Sequence, residues 1–208
     1  MKAEVKFSEW IKQGFELFKA NAQVLILANL VAIILSICSI FILLGPMVAG
    51  LIIVTLGLLD KKEPKPDVGD VFKGFAYFLQ SFLFMLVFGL GIAIIFCILS
   101  FIPCIGHILM FVLALTIPAF LMFSMWLIVD KNMEFWPATM ENFNVVISNF
   151  WSFLGFSIVV NLIGQAGVLV CCIGGFITAP ICMCIMAVAY RDVFGSPSAS
   201  AEQSQSST

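Results

Sequence analysis

Charge is what this chain has least of. An ordinary soluble domain carries about a quarter Asp, Glu, Lys and Arg, whereas here these make up 11% of 208 residues and apolar residues make up 62%. That set cannot cover a globule's surface in water. The scarcity is also uneven. No charge falls between Lys19 and Asp60, between Lys73 and Asp130, or between Glu141 and Arg191, stretches of 40, 56 and 49 residues by subtraction. Histidine occurs once, as His107, so a usual zinc site is out of reach and a catalytic imidazole has little to work with. There is no glycine-rich phosphate loop and no basic face suited to nucleic acid.

What remains is long apolar runs. A membrane-spanning helix takes about 20 apolar residues, so each uncharged stretch holds two spans and a turn, and the expected total is six. Strands of a lipid-facing barrel would alternate apolar and polar residues; residues 24–35 do not. A helix also satisfies its own backbone in a water-free core. None of the expected spans contains an ionisable group, which argues against a proton pump, a voltage sensor or a carboxylate-based ion exchanger.

The ten basic residues fall in four places: Lys2, Lys6, Lys12 and Lys19 before the first span, Lys61, Lys62, Lys65 and Lys73 between the second and third, Lys131 between the fourth and fifth, and Arg191 after the sixth. The positive-inside rule places both termini and these loops in the cytoplasm, in a plasma-membrane protein. The first apolar run is too long for a cleaved signal, so it is expected to serve as an uncleaved one.

One outline recurs. GPMVAGLIIVTLGLLD ends at Asp60, IPAFLMFSMWLIVD at Asp130 and APICMCIMAVAYRD at Asp192. Each is a proline-led apolar run closed by an aspartate. Turns are expected at Gly45-Pro46, at residues 102–107 and at residues 172–175. A short amphipathic segment precedes each pair of spans. In residues 8–21, Trp10, Ile11, Gly14, Phe15 and Phe18 share a face. From Asp67, which has capping-box spacing to Asp70, the apolar stripe is Val71, Phe72, Phe75 and Leu79. From Pro137 it is Met140, Phe143, Ile147 and Trp151. Such aromatic segments are expected in the interface plane. The expected fold is therefore all-α: one transmembrane domain, residues 1–194, of three parallel two-helix repeats (about 8–60, 67–130 and 137–192), each preceded by an interfacial helix. Residues 195–208 form a polar tail of low complexity, expected to be disordered.

The motifs GFELFKAN, GPMVAGL, DVFKGFAYF and TAPICMCIMAVAYRD resemble a broad family of small, mostly bacterial multi-pass membrane proteins of unassigned function. A similar membrane region is fused to some glycerophosphodiester phosphodiesterases. The resemblance runs to Arg191 and implies six helices in the cytoplasmic membrane; it brings no catalytic residues, and no phosphodiesterase domain is present.

Candidate sites are few. In the fifth span Ser157, Asn161 and Gln165 follow at helical spacing, with Asn161 near mid-membrane; in the first, Asn29, Ala32, Ser36 and Ser39 form a small polar stripe. Both faces are expected to point inward, because lipid tails offer no hydrogen bonds. They either bond helix to helix or line a polar pocket. Gly45 and Ala49 have the spacing of a helix-packing contact. Cys182, Met183, Cys184 and Met186 are soft-ligand types, but Cys182 and Cys184 diverge on a helix and serve equally as apolar filling. Cys104 and the Cys171-Cys172 pair fall at equivalent turns, as free thiols or, in an oxidising compartment, a disulfide. Lys61, Lys62 and Lys65 are offset by Asp60, Glu63 and Asp67 and read as a topology anchor. The expected role is non-enzymatic and cofactor-free: a structural or accessory protein contacting lipids, partner membrane proteins or itself. The alternative is a small carrier of a neutral or lipid-like solute that uses the Ser157, Asn161, Gln165 face.

Overall fold

The computed structural model describes residues 6–170 and 174–195, the side chains of 168–170 excepted. The expected disordered tail beyond Gly195 and the Cys171-Cys172 pair lie outside the described residues. The regular structure described is all helical: α1 Phe7–Cys38, α2 Leu44–Leu59, a 3-10 helix Val68–Tyr77, α3 Phe78–Ser100, α4 Ile105–Leu121, α5 Ser124–Asp130, α6 Phe135–Ser148, α7 Phe150–Val170 and α8 Gly174–Phe194. Five helical stretches are long and apolar enough to cross a membrane: Phe7–Cys38, Val68–Ser100, Ile105–Asp130, Phe150–Gly167 and Gly174–Phe194. The sixth expected span, α2, is apolar but only 16 residues long.

α1 carries two different sequence patterns and changes between them at Asn21, whose backbone leaves helical geometry (φ −133°, ψ 22°). Its Nδ2 donates back to the Leu17 carbonyl at 3.2 Å, the local bond by which asparagine competes with a helix. Before this break Trp10, Gly14 and Phe18 are buried; after it Leu25, Ala28, Asn29, Ala32 and Ser36 are. α1 packs most extensively on α8. A Cβ on Gly14 would sit 2.6 Å from Cγ1 of Ile185 and 2.7 Å from its Cα, so glycine is what allows the two helices to cross this closely.

The first turn differs from expectation, and the third, expected at residues 172–175, lies partly outside the described residues, with Gly174 and Gly175 inside α8. The first falls at residues 39–43, where Ile40 and Phe41 take positive φ, not at Gly45-Pro46. Gly45 and Pro46 lie inside α2 and are buried, and a Cβ on Gly45 would come within 2.8 Å of the Ser81 carbonyl in α3. The glycine serves packing. The prolines are not uniformly helix openers either: Pro118 and Pro180 lie within α4 and α8. Prolines are tolerated at depth where neighbours take the freed backbone groups. Shortly after Pro118 the chain breaks between α4 and α5, and there the Phe120 carbonyl accepts from Nδ2 of the fully buried Asn142.

The second and third amphipathic segments leave most of their apolar stripe on the outside of the bundle. In the 3-10 helix Val71 and Gly74 are buried against α2, while Phe72, Phe75 and Leu79 are exposed. The Gly50 and Gly74 backbones interlock; a Cβ on either would collide with main chain, that of Val71 in one case and those of Pro46 and Gly50 in the other. In α6 the buried face is Ala138, Asn142 and Val146, and Met140, Phe143, Ile147 and Trp151 are exposed. In lipid the outside is as apolar as the core, so burial goes to small residues that let backbones approach, and bulky side chains lose nothing by turning outward. The Asp67 N–H does bond to Asp70 Oδ2 at 3.0 Å, as the capping spacing requires.

Candidate functional site

The C-terminal ends of α2, α5 and α8 meet at one end of the bundle, around the only arginine in the chain. Arg191 donates from Nε to Asp60 Oδ1 (3.0 Å) and from Nη2 to Asp60 Oδ2 (2.7 Å). It also donates from Nη1 to Asp130 Oδ2 (2.6 Å) and from Nη2 to Asp130 Oδ1 (2.9 Å). Its last N–H reaches the Gly195 carbonyl at 3.3 Å. A guanidinium has five N–H donors, so every one is used. Tyr190 Oη adds a bond to Asp130 Oδ2 at 3.0 Å. The side chains are 11% exposed for Arg191, 20% for Asp60 and 7% for Asp130. Beside them the third recurring aspartate, Asp192, accepts from Trp10 Nε1 at 3.0 Å, which ties the start of α1 to the end of α8.

The recurring aspartates are therefore tied into the bundle. Asp60 and Asp130 turn inward onto one cation. Arginine suits that position because its planar fork meets two carboxylates side by side, which lysine cannot do. The signal was present in the sequence as three recurring aspartates and a single arginine among nine lysines.

The candidate polar residues are partly assembled. Asn29 of α1, Asn161 and Gln165 of α7, and Thr178 and Cys182 of α8 line one groove of about 460 Å³, whose walls include Val48, Leu51, Gly164 and Met186. Asn29 is 5% exposed, and its Nδ2 donates to the Phe176 carbonyl at 3.3 Å. Ser157 is 3% exposed and is not among the lining residues. Asn161 and Gln165, expected to point inward, are exposed along the groove. Asn161 bonds within its own helix, to the Ser157 carbonyl at 2.8 Å and to its hydroxyl at 3.4 Å. No described residue bonds the Gln165 amide. The reason is the close fit of α7 to α8: Thr178 Oγ1 bonds the Gly164 carbonyl at 3.3 Å and Cys182 Sγ the Val160 carbonyl at 3.5 Å, so that seam is filled and the larger amides are displaced to its edge.

His107 is exposed near the start of α4, at the other end of the α4–α5 stretch from Asp130. Cys104 is exposed in the preceding turn, and its expected partners lie outside the described residues. Cys184 is fully buried, whereas Cys182 lines the groove. No protein-family model, curated protein or solved structure matches the chain.

Proposed function

We propose that this is a six-span protein of the cytoplasmic membrane, with both termini and the Arg191 cluster on the cytoplasmic side. In this reading it is a non-enzymatic accessory protein that receives lipid or a partner's membrane segment in its lateral groove. The span count is supported by the cluster itself. Trp10, Asp60, Asp130 and Asp192 meet at one end of the bundle, so α2 must return to the face from which α1 departs. At 1.5 Å per residue its 16 residues reach about 24 Å, and the turn at residues 39–43 adds reach across a core of about 30 Å. The same meeting of three helix ends supports three parallel units. The resemblance to small multi-pass membrane proteins belongs to this proposal.

The observation that carries the accessory role is the exposure of Asn161, midway along the apolar helix α7, and of Gln165 one turn further on. Asn161 Nδ2 is bonded within its helix, but no described residue bonds the Gln165 amide, and leaving it against lipid is costly unless something else bonds it. A lipid glycerol–ester region or a polar residue of a partner helix would do so. Photocrosslinkers placed at Gly164 and Met186 test this in native membranes: lipid or protein adducts that vanish in the Asn161→Leu/Gln165→Leu variant support it, and adducts unchanged by that variant refute it.

A carrier reading draws on the same groove, because about 460 Å³ lies within the range of about 300–1,000 Å³ found for small-molecule sites. In proteoliposomes it requires solute uptake that the double variant abolishes.

A further inference from the structure

Cations in this protein divide into two groups. Lys6 pairs with Glu9, Lys73 with Asp70, Lys131 with Glu141, and Arg191 with Asp60 and Asp130. Lys12, Lys19, Lys61, Lys62 and Lys65 have no such partner among the described residues, and of these Lys61, Lys62 and Lys65 line one cleft, together with Glu16 and Glu63. This cleft, of about 690 Å³, lies between α1, the end of α2 and the loop that follows, with Leu17, Leu59 and Pro66 as its apolar wall.

The loop carrying the lysines is pinned. Lys62 N–H bonds the Gly57 carbonyl at 3.0 Å, and Lys61 turns the chain with φ 51°. Pro66 is buried with its Cγ 2.6 Å from where a Gly57 Cβ would stand, so glycine is needed for the loop to lie against α2. The Asp67–Asp70 cap fixes the far end. On the other wall Asn21 breaks α1, at the junction of its amphipathic part and its apolar part. In a bilayer that elbow lies at headgroup depth. Three exposed lysines on a pinned loop, above an apolar wall at that depth, are complementary to an anion that carries a hydrocarbon tail.

We infer that this cleft binds the phosphate headgroup of an anionic membrane phospholipid, with its glycerol and upper acyl chain along Leu17, Leu59 and Pro66. The site is separate from the α1–α7–α8 groove and needs only that α1 and α2 lie in a bilayer; it stands or falls independently of the accessory role. Each lysine near an anionic surface contributes enough that losing three of them should weaken binding by about tenfold or more, even with Glu16 and Glu63 alongside.

Native mass spectrometry of the full chain in detergent micelles tests this. Phosphatidylglycerol is titrated against phosphatidylcholine, and sodium phosphate and glycerol 3-phosphate are added as competitors. The expected result is retention of phosphatidylglycerol over phosphatidylcholine, a loss of at least about tenfold in Lys61→Gln/Lys62→Gln/Lys65→Gln, and little change in Lys12→Gln/Lys19→Gln. Far-UV circular dichroism checks that both variants are folded. Should the triple variant prove unfolded, Pro66→Glu, which sets a carboxylate in the apolar wall, is used instead and should lose the same preference. Equal retention of both lipids, undiminished binding by a folded lysine variant, or displacement by millimolar phosphate or glycerol 3-phosphate would each overturn the assignment, the last by pointing to a soluble phosphoester.

Discussion

Replacing Arg191 by methionine leaves Asp60 and Asp130 facing each other with no cation between them. Asp130 is 7% exposed and Asp60 20%, so neither recovers much hydration from bulk water. Removing one member of a buried ion pair costs about 3–5 kcal/mol. The wetter Asp60 can relax toward solvent, which argues for the lower end, about 3 kcal/mol. Arg191→Lys keeps the charge but offers at most three donors where five bonds exist; about 1–2 kcal/mol is expected. Neutralising everything at once, with Asp60→Asn, Asp130→Asn and Arg191→Met, removes the desolvation cost along with the attraction. It should leave the protein within about 2 kcal/mol of the parent, because a buried pair replaced as a whole is often near neutral. The assay is reversible unfolding in mixed micelles titrated with dodecyl sulfate, followed by tryptophan fluorescence and far-UV circular dichroism. If Arg191→Met lies within about 1 kcal/mol of the parent, or the triple variant is worse than the single, the cluster does not hold the helix ends together.

Other consequences follow from single contacts. Gly74→Ala drives a methyl into the Pro46 and Gly50 backbones and should cost about 1–3 kcal/mol in the same assay; an unchanged midpoint would mean that the 3-10 helix does not pack on α2 as described. Trp10→Phe removes a bond to a charged acceptor, and because Asp192 is exposed the expected loss is at the low end, about 1.5 kcal/mol. Asn161→Leu with Gln165→Leu touches only exposed side chains, so it should shift stability by no more than about 0.5 kcal/mol while changing what the groove retains. By contrast Ser157→Leu overpacks a site 3% exposed and should cost about 1–3 kcal/mol. Matching losses in the two would contradict the exposed placement of Asn161 and Gln165.

Much of the fold was legible because charge and hydrophobicity fix which segments enter a membrane. The uncharged stretches, the break near Asn21 and the turn before α4 all follow from that. Sidedness within the bundle did not. The stripes Phe72-Phe75-Leu79 and Met140-Phe143-Ile147, expected in the interface plane, are exposed, and which residues would pack beneath them was not read from the sequence. In lipid, shape decides, and Gly74, Ala138 and Asn142 take the inner face instead. Asn161 and Gln165 were expected inward because lipid tails offer no hydrogen bonds, but the Thr178 and Cys182 bonds to the α7 backbone occupy that seam. Gly45-Pro46, expected as a turn, and Pro118 and Pro180, expected to lead their runs, all lie within helices, where glycine serves packing and proline is tolerated inside a bundle. The aspartate recurrence was visible, but its convergence on Arg191 is a tertiary fact that spacing along one chain does not encode.

The central claim is that α2, short as it is, crosses the membrane and brings Asp60 back to the side of Trp10. Protease-cleavable tags inserted singly at Phe41, Lys62, Ile102 and Lys131 and at each terminus, read in sealed vesicles of known orientation, decide it. Tags at the termini, Lys62 and Lys131 should be cleaved from one side only, and those at Phe41 and Ile102 from the other. Cleavage of the Phe41 and Lys62 tags from the same side, or termini on opposite sides, would contradict it.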